Sequence, residues 1–74
     1  MIEKRTINGV EVDFPSISNL WRHIKTGGVY VVMCPAVIET DAVPAVAYAI
    51  ANGDGTVWVR PVTEFLDGRF EVAE

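Results

Sequence analysis

Apolar and polar residues alternate along most of this chain, and the alternation is interrupted at short intervals by glycine, proline and asparagine. Side chains on a strand point to opposite faces in turn, so each such run predicts a half-buried β-strand. The first two runs, residues 2–7 and 10–14, flank Asn8-Gly9. That dipeptide suits the positive φ angles of a two-residue hairpin turn, so a β-hairpin is predicted, with Val10, Val12 and Phe14 dry and Glu11 and Asp13 wet. Lys4 and Arg5 across from these acids predict cross-strand ion pairs of small worth.

After the connector Pro15–Asn19, a strand is predicted at 20–25, ended by Thr26-Gly27-Gly28, and another at 29–38. Pro35 marks a bulge or an edge in the latter, because proline cannot donate to a ladder. Residues 45–51 set alanine at every second position between Val46, Tyr48 and Ile50. Alanine is the best helix former, but strict period-two alternation in so short a run favours a strand with one large apolar face and one flat one. Gly53-Asp54-Gly55 then turns the chain into a strand at 56–60, in which Val57 and Val59 are expected to face the core while Trp58 and Arg60 are displayed. Val62–Asp67 reads as a helical turn that plugs the core with Phe65 and Leu66, before a last strand at 69–72.

These elements predict a single domain, 1–74: a mostly β, small antiparallel SH3-like barrel with an N-terminal β-hairpin and one short helical turn. The expected core is Val29, Val31, Val46, Tyr48, Ile50, Val57, Val59, Phe65, Leu66 and Phe70.

Composition narrows the setting. One cysteine excludes an internal disulfide, and one cysteine with one histidine cannot build a structural zinc site, so a reducing, cytoplasmic compartment is expected and no metal or other cofactor. A 74-residue core without such staples makes a homodimer a reasonable expectation. Met1-Ile2-Glu3-Lys4-Arg5 precedes no apolar run, and the apolar stretch from Val29 to Ile38 is too short to span a bilayer, so neither a secretory leader nor a membrane role is expected. The net charge of −4 argues against nonspecific duplex binding, which depends on neutralising phosphates with many basic residues.

Several ordered elements together carry a resemblance. Trp21-Arg22-His23, Lys25, Gly27-Gly28, Val29-Tyr30-Val31-Val32, Val46-Ala47-Tyr48, Trp58-Val59-Arg60-Pro61 and Glu64-Phe65 are similar, in order and spacing, to short bacterial and phage proteins classed as domain of unknown function 1653. The resemblance covers residues 20–70, so residues 1–14 read as a hairpin extension of a 20–74 barrel that folds without it. In those proteins an arginine often follows the tyrosine of the Val-x-Tyr element; Ala49 stands there in this chain and removes one cation. The resemblance implies a small, barrel-like β fold and allows a phage or mobile-element accessory protein; it supplies no activity.

No catalytic motif is evident. His23 has no carboxylate on its own strand to orient it, and the acids lie in turns and on the hairpin. Cys34, inside an apolar strand, is expected to be a buried and inert thiol. The glycine pairs match no phosphate-cradling motif, which requires a helix opening after the glycines. The remaining constellation is Trp21, His23, Trp58 and Arg60, with Lys25 and Tyr48 beside it: an aromatic and cationic surface suited to an anionic or planar ligand, or to a peptide. The competing reading makes both tryptophans core, with Arg60 and His23 lying over them. The expected function is thus a noncatalytic interaction module for a protein or peptide partner, favoured by the scarcity of basic residues. The alternative, favoured by the Trp/His/Arg grouping, is a binder of a small anionic ligand, a nucleotide or a single-stranded nucleic acid.

Overall fold

Asn8 and Gly9 adopt φ angles of 52° and 81°, the paired left-handed conformation of a two-residue hairpin turn. The computed structural model describes residues 1–73. It opens with that hairpin, β1 (Ile2–Ile7) antiparallel to β2 (Val10–Pro15). Lys4 and Asp13 face each other across it and pair at 2.7 Å, and this hydrogen bond to Asp13 raises the Lys4 pKa above its usual value. Arg5 instead pairs with Glu3 of its own strand at 2.9 Å and lies over the Phe14 ring.

The other elements are β3 (Leu20–His23), β4 (Val29–Ile38), β5 (Val43–Ile50), β6 (Trp58–Pro61), the helical turn α1 (Val62–Phe65) and β7 (Phe70–Val72). The five strands form one antiparallel sheet in the order β6-β5-β4-β3-β7. The mostly β, antiparallel architecture and the helical turn are as expected, and the alanine-rich segment is a strand. Barrel closure is not seen: β6 and β7 are the two edges, and among the described residues no ladder joins them. The strand expected over 20–25 stops at His23, because Gly27 N donates to His23 O at 2.7 Å and bends the chain into a turn. The strand expected from residue 56 starts at Trp58. Before it, the Asp54 carboxylate accepts the Thr56 N–H at 2.9 Å, which holds the Asp54 pKa below the usual carboxylate range.

Register decides which side chains meet. Val46 lies opposite Arg60, and Tyr48 opposite Trp58 and Val32. Directly opposed residues share a face, so Trp58 and Arg60 stand on the core side of the sheet. Val59 therefore points outward and is 52% exposed, as is Val57 at 47%. The sequence expectation had these faces reversed. β6 takes its orientation from β5, whose Val46 and Tyr48 are committed to the core, and one residue of slip would swap both β6 faces. Val31 and Ile50, also expected in the core, are exposed: Val31 faces outward beside Ala49, and Ile50 lies at the end of β5. Val29 and Leu66 are half-buried, while Val46, Tyr48, Phe65 and Phe70 are buried as expected. Cys34 is exposed rather than buried, because a bulge at Met33 shifts the register and sets it opposite Ala47 on the outer face.

The N-terminal hairpin is a wall of the core. Phe14 is 0% exposed and, with Ile7, clusters with Trp21, Val32, Val46 and Phe65. This burial sets an expectation opposite to that of a removable extension. Phe14→Ala should lower stability by roughly 3–5 kcal/mol in chemical denaturation, the usual loss for truncating a buried phenylalanine. Val59→Thr on the outer face should change it by no more than about 0.5 kcal/mol. Deleting residues 1–15 should abolish the cooperative transition, and a truncated chain that melts like the whole would place the hairpin outside the core.

Candidate functional site

Where β3, β6 and β7 come together, rings and cations converge. His23 ends β3 opposite Phe70 of β7, and their rings meet edge to face at 4.9 Å. Its Nδ1 lies 3.1 Å from the Thr26 hydroxyl, which also accepts the Gly28 N–H at 3.3 Å. Gly28 has no side chain to obstruct its neighbour: a Cβ there would stand 3.1 Å from the Tyr30 ring. Tyr30 can therefore lie against the turn while its edge meets Tyr48 at 5.3 Å and Phe70 at 5.9 Å.

From the opposite edge of the sheet, Arg60 reaches over. Its Nε donates to Tyr48 Oη at 3.1 Å, and its guanidinium carbon stands 5.5 Å from the centre of the Phe70 ring. The aliphatic stem of an arginine covers apolar surface while its head stays wet, and here the head also gains a cation–π contact. Trp58, two residues earlier on the same face, is 55% exposed.

Two hollows meet here and share His23 and Arg60. One, of about 200 Å³, is ringed by His23, Tyr30, Tyr48, Trp58 and Phe70, with Thr26 and Arg60 at its margin. The other, of about 520 Å³, is lined by His23, Ile24, Lys25, Arg60, Gly68 and Arg69. Among the described residues no carboxylate lines either half. Three of the six Lys and Arg residues of an acidic chain thus face one cleft: Lys25, Arg60 and Arg69. Arg69 is paired with Asp67 at 3.0 Å, whereas among the described residues Lys25 and Arg60 form no ion pair. A separate hollow of about 470 Å³ between β2, β5 and α1 is lined by Val12, Val43, Pro44, Val62 and Leu66 together with Asp13 and Thr63. Of its two polar residues, Asp13 is already paired with Lys4, which leaves Thr63 to orient a ligand.

Of the six residues singled out from the sequence, the structure brings together His23, Lys25, Tyr48, Trp58 and Arg60. Trp21 is the exception. It is 4% exposed, donates its Nε1–H to Ser16 O at 3.0 Å and meets Phe65 edge to face at 5.6 Å. The core reading of the tryptophans is therefore right for Trp21 and wrong for Trp58. Sequence reasoning missed Tyr30, Thr26 and Arg69. The tight Thr26-Gly27-Gly28 turn pointed to the first two, since it returns Tyr30 beside β3. Arg69 carried no local signal, because only the pairing of β3 with β7 brings it to Lys25.

A family model described as protein of unknown function (DUF1653) matches residues 19–73. The chain belongs to the DUF1653 family. That match spans every residue of the cleft and leaves the N-terminal hairpin outside. No curated protein and no solved structure matches the chain. Among the described residues no group of three or more His, Cys, Asp or Glu is placed to hold a metal ion, and no helix is long and apolar enough to cross a membrane.

The geometry gives Arg60 a structural share that its sequence position did not announce. Arg60→Ala should lower stability by about 0.5–1.5 kcal/mol, the net worth of a hydrogen bond of this kind, while Lys25→Ala leaves the melting curve unchanged. Trp58→Phe should remove the emission that iodide quenches and leave the blue-shifted emission of buried Trp21. Iodide-accessible emission persisting in that variant would place Trp21, not Trp58, at the surface.

Proposed function

We propose that this DUF1653 protein is a small, noncatalytic binding module, and that its cleft between β3, β6 and β7 holds an anionic group offered by a partner. One observation carries the reading: half of the lysines and arginines of a chain with net charge −4 line a single cleft that, among the described residues, contains no carboxylate. Elsewhere on the chain the cations are matched. Lys4 pairs with Asp13, Arg5 with Glu3 and Arg22 with Glu71. A local cluster of positive charge in which only Arg69 has an acidic partner, Asp67, attracts anions to an otherwise acidic protein, which favours selective encounter over general adhesion.

A protein or peptide partner meets this requirement through an acidic side chain or a terminal carboxylate, which Arg60 suits by its planar fork of donors. A phosphate-bearing small ligand or nucleic acid meets it equally at Lys25 and Arg69. His23 is engaged with Thr26 and Phe70, and among the described residues no carboxylate lines its hollows to orient it as a base, so binding rather than turnover is the activity proposed.

Titration with tripolyphosphate and with polyglutamate, followed through Trp58 fluorescence, tests the reading. At least one of these anions should bind saturably, and raising the salt should weaken it. The double variant Lys25→Glu/Arg69→Glu should keep the wild-type circular dichroism and melt only slightly lower, since both residues are exposed and the Arg69–Asp67 pair it breaks is a surface one, yet lose at least tenfold in affinity. No binding of either anion, or binding that the double variant retains, would overturn it.

A further inference from the structure

Resting on that reading of the cleft, we propose that its ligand is one nucleotide unit, with the base among the rings of the smaller hollow and the phosphate among the cations of the larger. The two halves differ in a way that a simple anion does not need. The smaller half, at about 200 Å³, falls below the roughly 300–1,000 Å³ of sites that enclose a drug-sized molecule, so it has room for a single ring system. Its walls are the side chains of His23, Tyr30, Tyr48, Trp58 and Phe70. Four of these already satisfy one another edge to face within the site. Trp58 is different: it is 55% exposed and, among the described residues, stacks on no other ring. An indole left open at the mouth of a ring-sized hollow is a platform for a planar group.

Arg60 stands where the halves meet. Its Nε is held by Tyr48 Oη at 3.1 Å and its guanidinium lies over the Phe70 ring at 5.5 Å, so its position is set before any ligand arrives. Among the described residues its terminal guanidinium nitrogens make no hydrogen bond or ion pair, and since Arg60 lines both hollows they remain as donors for the phosphate of a base-bound nucleotide. Beyond it Lys25 and Arg69 line the larger half and match the remaining phosphate charge. An acidic peptide would use these cations but would leave the ring-lined half without a planar occupant.

The single-ring hollow sets the one-unit size of the ligand, and the cation count caps its phosphate charge. Three cations neutralise no more than about three phosphates, so the dependence of log affinity on log salt should have a slope no steeper than about −2 for a single-stranded ligand. The rest of the chain carries net negative charge and would repel a longer strand. Recognition by stacking tolerates any base, so purine and pyrimidine units should both bind.

The test is calorimetric titration of the full chain with adenosine 5′-monophosphate, adenosine, ribose 5-phosphate, tripolyphosphate and polyglutamate, together with thymidine oligomers of one, two and four nucleotides. The mononucleotide should bind at least tenfold more tightly than adenosine or ribose 5-phosphate, and the oligomers should gain little over it. Trp58→Ala should cost the mononucleotide at least about fivefold, the lower end of what a base stacked on an aromatic side chain contributes, and leave tripolyphosphate unaffected. Lys25→Glu/Arg69→Glu should weaken both. If polyglutamate or tripolyphosphate binds as tightly as the mononucleotide, or Trp58→Ala changes nothing, the nucleotide assignment falls while the anion cleft stands. Affinity that keeps climbing from two to four nucleotides overturns the one-unit limit. If no anionic probe binds, the cleft reading falls as well.

Discussion

Phe65 lies flat on Phe70, with ring centroids 4.0 Å apart and planes within 6° of each other. Most of the other aromatic contacts depend on this stack. Trp21 and Tyr48 make T-shaped contacts with Phe65, and His23, Tyr30 and Tyr48 make them with Phe70. Edge-to-face and offset contacts are each worth about 0.5–1.5 kcal/mol beyond the area they bury, so a connected set of them adds appreciably to a core this small. The stack also ties the helical turn after β6 to β7, two elements that no backbone ladder joins among the described residues.

The open sheet follows from the same feature. With β6 and β7 as the edges of the sheet among the described residues, side chains rather than hydrogen-bonded backbone bridge the gap between them: Arg60 from one edge lies over Phe70 of the other. A fully closed small barrel would fill this space with its own strands. Here the gap is a cleft with aromatic walls continuous with the core and a cationic margin. The core and the candidate site are therefore one aromatic assembly, dry at Phe65 and wet at Trp58.

The hairpin shows that a family boundary need not be a folding boundary. The DUF1653 match begins at residue 19, yet Phe14 is as deeply buried as Phe65. A sheet of five short strands presents an apolar face that something has to cover, and in this chain β1, β2 and α1 cover it.

Much was determined by local chemistry alone. Asn8-Gly9 dictated a hairpin, because few dipeptides accept two positive φ angles, and period-two alternation over 45–51 specified a strand despite its alanines. The types and order of the elements, the core rings Tyr48, Phe65 and Phe70, and five of the six residues proposed for a surface were legible in the same way. What the sequence left undecided was which face of β6 turns inward. Alternation says that Val57 and Val59 share one side and Trp58 and Arg60 the other, but the two choices differ only by partner register. The ladder to β5, with Val46 opposite Arg60 and Tyr48 opposite Trp58, settled it against hydrophobicity. The same kind of long-range pairing brought Arg69 beside Lys25, and the hydrogen bond to Ser16 kept Trp21 inside. Local sequence limits the conformations that a segment can adopt. Which side chains then meet depends on contacts between residues far apart in the chain, and these exist only once the sheet has formed.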